Sequence, residues 1–206
     1  AYATTGVPAA SASDEGERTT DIFIAGLKQP GMARRLEDRL RANGRTIEVA
    51  TDHVDRAEFL ESMRRAKVTL FLPNEEEGFY LPALEGMALG TIVVCPDCVG
   101  NRSYCLPDHN AFRPAYDFES LVDAVEAALA MSAEDAGAMR RKAAVTAQAH
   151  SPEAERAAFV RQRGERDPPA VTACTRTSRC RPTPARSGRA PTWARTATSD
   201  THEAKI

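Results

Sequence analysis

Four short apolar runs set the limits on what this chain can fold into: "DIFIAG" from Asp21, "TIEVAT" from Thr46, "VTLFLP" from Val68 and "TIVV" from Thr91. Each is too short for a stable helix. The runs are continuously apolar, as expected of strands covered on both faces. Helical patterns lie between and after them. "MARRLEDRLRANG" spaces Met32, Leu36 and Leu40 four apart and stops at Gly44, a helix end. "DRAEFLESMRRA" sets Asp55 three before Glu58, a capping-box pattern, with Phe59, Leu60 and Met63 on one face. Leu81 to Leu89 reads as a helix with Pro82 in its first turn and Gly90 past its end. "DFESLVDAVEAALA" carries a stripe of Phe118, Leu121, Val122, Val125 and Leu129, and a further helix follows Ser132, its cap. "AFRP" reads as a short fifth strand. Strands alternating with helices predict an α/β fold, a Rossmann-like parallel sheet with helices on both faces. Such sheets bind ligands in the crevice beyond the carboxyl ends of their strands.

The pattern occupies residues 21–162. Residues 1–20 are small and polar, and residues 163–206 are rich in Arg, Thr, Pro, Ala and Ser without a period, so both ends read as disordered. The tail is locally basic, but a net charge of -2 over 206 residues predicts neither nucleic acid nor an anionic membrane as partner. No apolar run approaches the ~20 residues of a membrane span, and the first residues do not form a signal peptide. Five cysteines, an odd number, argue against a full disulfide framework. The expected compartment is the cytoplasm.

The segment "NEEEGFYLPALEGMALGTIVVCPD", Asn74 to Asp97, carries the chemistry. Gly78 lets the backbone approach a ligand closely. The turn Gly78-Phe79-Tyr80-Leu81 opens a helix whose first N–H groups are unpaired and partly positive, a place for a diphosphate. Glu77 lies before the turn and Glu85 about one turn inside the helix. Carboxylates accept hydrogen bonds from paired hydroxyls, so the two suit a sugar nucleotide with hydroxyls at both ends and phosphates between. The plainer alternative is that acids near a helix start complement its dipole, for ~0.3–1 kcal/mol each.

"EGFYLPALEGMALGTIVV" resembles the E-x7-E signature of retaining glycosyltransferases of the GT-B fold, family 4 type, usually E-G-F-G-L-P-x-L-E-A-M-A-x-G-x-P-V-V. Glu77, Gly78, Phe79, Leu81, Pro82, Leu84, Glu85, Met87, Ala88, Gly90, Val93 and Val94 match in register. The likeness extends from about Asp21 to about Phe159 and implies the carboxy-terminal, donor-binding half of a GT-B fold. It implies that Glu77 contacts donor-sugar hydroxyls and stabilises positive charge at the anomeric carbon. It implies that Glu85 binds the ribose, and that the backbone of Gly78, Phe79, Tyr80 and Leu81 meets the sugar and phosphates. Tyr80 stands where the family has a small residue, implying a narrower or differently shaped pocket. Lys28, in "AGLKQP", is the candidate for the family's diphosphate clamp. "DIFIAGLKQPGMARRLEDRL" looks more like the family's second strand–helix unit, which leaves the clamp-bearing first unit and the amino-terminal acceptor domain missing. "CVGNRSYC" replaces the usual G-G-x-x-E loop, and Asn101 and Arg102 there read as a solvated loop rather than phosphate contacts.

The implied partners are a nucleoside-diphosphate sugar and an acceptor, with no cofactor and no metal. A nucleotide-sugar-binding module without turnover is the second reading. A third is a zinc-stabilised domain, because Cys95, Cys98, Cys105 and His109 form C-x2-C-x6-C-x3-H. A redox role for Cys95 and Cys98 ranks lower, since no helical pattern follows them. His53 and His150 read as surface or helix-end residues, and the sequon at Asn101 means little without a signal peptide.

Overall fold

The computed structural model describes residues 18–151 and, beyond them, 153, 154, 156, 157 and 159–161. The chain divides into units 1–166 and 167–206, and every described residue lies in the first. The expectations for residues 1–17 and 163–206 lie outside the described residues.

The elements run β1 (Thr20–Ala25), α1 (Pro30–Ala42), β2 (Ile47–Ala50), α2 (Arg56–Arg65), β3 (Ala66–Phe71), α3 (Leu81–Ala88), β4 (Ile92–Val94), α4 (Phe118–Leu129) and α5 (Ala133–Ala149). The four strands form one sheet in the order β2-β1-β3-β4, and all pair parallel. Ile22 faces Ile47 on one side and Val68 on the other. The expected Rossmann-like arrangement is therefore present.

Local chemistry accounts for the element ends. Asp55 caps α2 by accepting from the Ala57 N–H, and Ser132 caps α5 by accepting from the Asp135 N–H. Asp117 does the same for α4 toward Ser120. Gly44 and Gly90 take positive φ, 79° and 73°, just past α1 and α3, where a Cβ is disfavoured. The expected fifth strand is reduced to a single parallel bridge, Val94 to Phe112. Pro114 follows closely and has no N–H to give a ladder, so the pairing stops there.

Two apolar cores fill the faces of the sheet. Ile22, Ile24, Val68, Leu70 and Val94 point to one, covered by Leu36 and Leu40 of α1 and Leu121, Val122 and Val125 of α4. Phe23, Phe71 and Val93 point to the other, covered by Met63 of α2, Ala83, Leu84 and Met87 of α3, and Ala143 of α5. The alternation along each strand is the period-two rule of the pleat. Both faces are covered, which is why the strands read as unbroken apolar runs. Arg18 ties the start of β1 across the sheet by donating to the carbonyls of Ala66 (2.8 Å) and Gly90 (2.7 Å).

Candidate functional site

Parallel pairing brings the turns after β1, β2 and β3 to one edge of the sheet. The β3–α3 turn, residues 72–80, carries Glu77, and α3 directly after it carries Glu85; each of the two meets a cation from a neighbouring segment. Glu77 Oε1 lies 3.6 Å from Lys28 Nζ, which follows β1. Glu85 Oε1 accepts from Arg56 Nη2 at 2.6 Å, and Arg56 is the first residue of α2. Gln29 Nε2 donates to Asn74 Oδ1 at 3.4 Å and closes the β1 and β3 turns together.

The surroundings of the two carboxylates differ. Glu85 sits on the helix face turned into the protein, with its side chain 2 % exposed, while the Arg56 side chain is 48 % exposed. Glu77 and Lys28 are more open, at 24 % and 53 %. A carboxylate buried like that of Glu85 loses its water, and a partner such as Arg56 replaces part of that lost hydration. Sequence reasoning missed Arg56. Its signal was a cation in the first turn of a helix, where the dipole disfavours positive charge.

Between the two glutamates the backbone turn is free on one side and held on the other. A Cβ on Gly78 would meet nothing within 4 Å. A Cβ on Gly100, behind the turn, would lie 2.7 Å from the Glu77 carbonyl oxygen and 2.8 Å from Phe79 Cα. Gly100 thus lets the loop after β4 press directly on the turn. The Val99 N–H donates to the Glu75 carbonyl at 3.0 Å, and the Tyr104 hydroxyl donates to the Tyr80 carbonyl. No side chain caps the start of α3.

The Phe79 and Leu81 side chains are exposed, whereas Tyr80 is buried with its ring edge-on to Phe71, centroids 5.9 Å apart. Burial, with Cys95 and Glu77 nearby, pushes the Tyr80 phenol well above its ordinary pKa, so it stays neutral. The expectation that Tyr80 narrows a pocket changes accordingly: its ring packs in the core, because its turn points it at Phe71.

The loop after β4 is also more buried than its sequence implied. Asn101 is fully buried and donates from Nδ2 to the Pro96 carbonyl (2.7 Å) and to Cys95 Sγ (3.2 Å), while its Oδ1 accepts from the Cys98 N–H (3.2 Å). It is an internal staple, since an amide with both donor and acceptor can bridge backbone groups of a tight loop. Arg102 is exposed and pairs with Asp97 at 2.6 Å. Cys95, Cys98 and Cys105 are buried free thiols, and a 3-10 turn, Val99–Asn101, follows Cys98 where no helical pattern was read. The Cys95 thiol and the N–H groups of Asn101 and Gly100 bring Cys98 down to about 7 against the effect of burial. His109 is exposed, and no group of His, Cys, Asp or Glu among the described residues is arranged to hold a metal ion. His150 caps the end of α5, its Nδ1 3.0 Å from the Thr146 carbonyl oxygen, with its ring beside Phe79 and Tyr104. His53 is exposed. No described helix is long and apolar enough to cross a membrane.

The solved structure of an alpha,alpha-trehalose 6-phosphate synthase from Burkholderia multivorans is similar at a TM-score of 0.54 and 15% identity, over 71% of this chain and 43% of that one. The sucrose-phosphate synthase of Thermosynechococcus elongatus gives 0.54 and 18%, over 72% and 46%. The chain spans less than half the length of these relatives, and at such identities the likeness shows the GT-B type of fold. No curated protein matches by sequence. The sequence profile of the family described as glycosyl transferases group 1 matches residues 7–131. That match covers more than half of the 206 residues, and the chain belongs to the group 1 glycosyl transferases.

Proposed function

We propose that this domain binds a nucleoside-diphosphate sugar and forms the donor half of a retaining glycosyltransferase of family 4 type. The observation that carries the reading is the disposition of Glu77 and Glu85. They flank an uncapped helix start at the carboxyl edge of a parallel sheet, each beside a cation from the next turn. In this reading the E-x7-E segment spans one ligand. Glu85 takes the ribose hydroxyls, Lys28 and the start of α3 take the diphosphate, and Glu77 takes the sugar. The backbone of Gly78, Phe79, Tyr80 and Leu81 lines the path between them.

Transfer then proceeds on one face. The bond from the anomeric carbon to the phosphate oxygen breaks, and the departing diphosphate takes the electron pair. The acceptor oxygen bonds to the same carbon from the same side and gives its proton to the leaving phosphate oxygen, so the configuration is kept. Negative charge grows on the phosphates, where Lys28 and the α3 N–H groups stabilise it. Positive charge grows at the anomeric carbon, where Glu77 does so. The acceptor comes with an amino-terminal domain or a partner subunit, and the reaction is cytoplasmic. The test is calorimetric titration with nucleoside diphosphates and their hexose conjugates, followed by a transfer assay with added acceptor. Binding of the conjugate is expected. Binding without transfer, even with an acceptor domain supplied, would favour a binding module, and no binding would contradict the proposal.

A further inference from the structure

Arg56 takes no ligand group in the proposed donor site, yet it makes the charged contact to Glu85. Three observations bear on it. Arg56 Nη2 donates to Glu85 Oε1 at 2.6 Å, although the residues lie 29 apart in sequence. Glu85 is nearly without solvent while Arg56 is half exposed, so the guanidinium stands where the pair meets water. And Arg56 is the first residue of α2, directly after its Asp55 cap, a position where the helix dipole opposes a cation. The Asp55 side chain accepts from the Ala57 N–H, satisfying the cap itself. Core contacts of α3 are otherwise apolar: β3, β4 and α5 contribute Phe71, Val93 and Ala143 to the same cluster as Ala83, Leu84 and Met87.

The geometry points to Arg56 as a positioning residue of the nucleotide site: it holds the Glu85 carboxylate aimed, so that the remaining lone pairs can receive ribose hydroxyls. This rests on the ribose assignment of Glu85 made above. A carboxylate has room for about four hydrogen bonds, and the pair with Arg56 uses Oε1. A half-exposed guanidinium can shift to admit a hydroxyl without breaking a packed core. Without Arg56, the buried carboxylate loses the contact that aims it and offsets its lost hydration, and it turns away. That displacement removes its preference for a ligand that donates hydroxyl protons.

The experiment compares nucleoside diphosphates with their 2′,3′-dideoxy analogues. Uridine, adenosine and guanosine diphosphates are titrated in pairs into the full chain and its variants. The wild-type chain is expected to favour the ribose form by about tenfold or more, the value of hydrogen bonds to a charged group. Arg56→Met should bring that ratio close to one while leaving the dideoxy affinity unchanged, and Arg56→Lys should restore most of the ratio. In a Glu85→Gln background, Arg56→Met should change the ratio no further. The ratio is read within one variant, so a loss of folded fraction cancels, and Arg56→Gln carries the same test should Arg56→Met not fold. A ribose preference that survives or rises in Arg56→Met and Arg56→Gln overturns the role of Arg56 alone. Absence of a ribose preference in the wild-type chain removes the ribose assignment of Glu85 and this role together. Diphosphate binding in that case leaves the donor-site reading standing.

Discussion

Glu77 and Glu85 are eight residues apart and belong to one turn-and-helix segment, yet their surroundings are opposite. Glu85 is turned into the protein and paired at 2.6 Å with Arg56; Glu77 is partly open and lies 3.6 Å from the exposed Lys28. A short bond in low dielectric and a long one in water differ severalfold in strength. In the proposed donor site, the Glu85 end would be built before any ligand arrives, and the Glu77 end would be left free to adjust. A site that fixes the end common to all its ligands and adapts at the variable end would treat the nucleotide as the anchor and the sugar as the part to be discriminated.

The largest expected effect falls between the two ends. Gly100→Ala would drive a methyl group into the backbone of Glu77 to Phe79, and overpacking of this kind costs roughly 1–3 kcal/mol. Thermal unfolding should show the loss, and the displaced turn should weaken binding of the sugar conjugate. An unchanged melting temperature would mean that the two loops are not pressed together. Next comes the buried pair. Arg56→Met should cost about 2 kcal/mol, between the ~3–5 of a buried pair and the ~0.2–1 of an exposed one, because Arg56 itself is half exposed. Lys28→Met should cost less than about 1 kcal/mol of stability but reduce affinity for any diphosphate ligand. Equal stability losses for Arg56→Met and Lys28→Met in denaturant titrations would erase the contrast between the ends.

The smallest structural effect belongs to Gly78. Its φ is not in the left-handed region, and a methyl group there meets nothing. Gly78→Ala should therefore leave stability unchanged or raise it by ~0.4–1 kcal/mol through the unfolded chain. Nothing within the protein demands a glycine at this position, so a selective loss of ligand affinity in Gly78→Ala would mark the backbone as a contact surface. Undiminished affinity would move the ligand away from the turn.

How far these features were legible in the sequence follows from the range of the interactions. The strands, the helix caps at Asp55 and Ser132 and the ends at Gly44 and Gly90 depend on residues within a turn of each other, and they could be read directly. So could the placing of Glu77 and Glu85 at the carboxyl edge of β3. The fifth strand was over-read: Phe112 makes one bridge, and the proline two residues on ends it. The pairing of Arg56 with Glu85 joins α2 to α3 across the sheet order, and no local period announces it. Asn101 was misplaced for the same reason. A polar residue in a loop reads as solvated unless the loop is known to fold back, and here Asn101 bridges Cys95, Pro96 and Cys98.

The central claim is that the two glutamates grip opposite ends of one sugar nucleotide. Calorimetric titration of Glu85→Gln and Glu77→Gln, each with a nucleoside diphosphate and with its sugar conjugate, tests it most directly. Glu85→Gln should weaken both ligands alike, by roughly 1.5–3 kcal/mol for a lost charged hydrogen bond. Glu77→Gln should leave the free diphosphate nearly unchanged and weaken the preference for the conjugate. If the carboxylates serve the helix dipole alone, both substitutions would cost under ~1 kcal/mol of stability and change the two ligands equally, and that result would contradict the account.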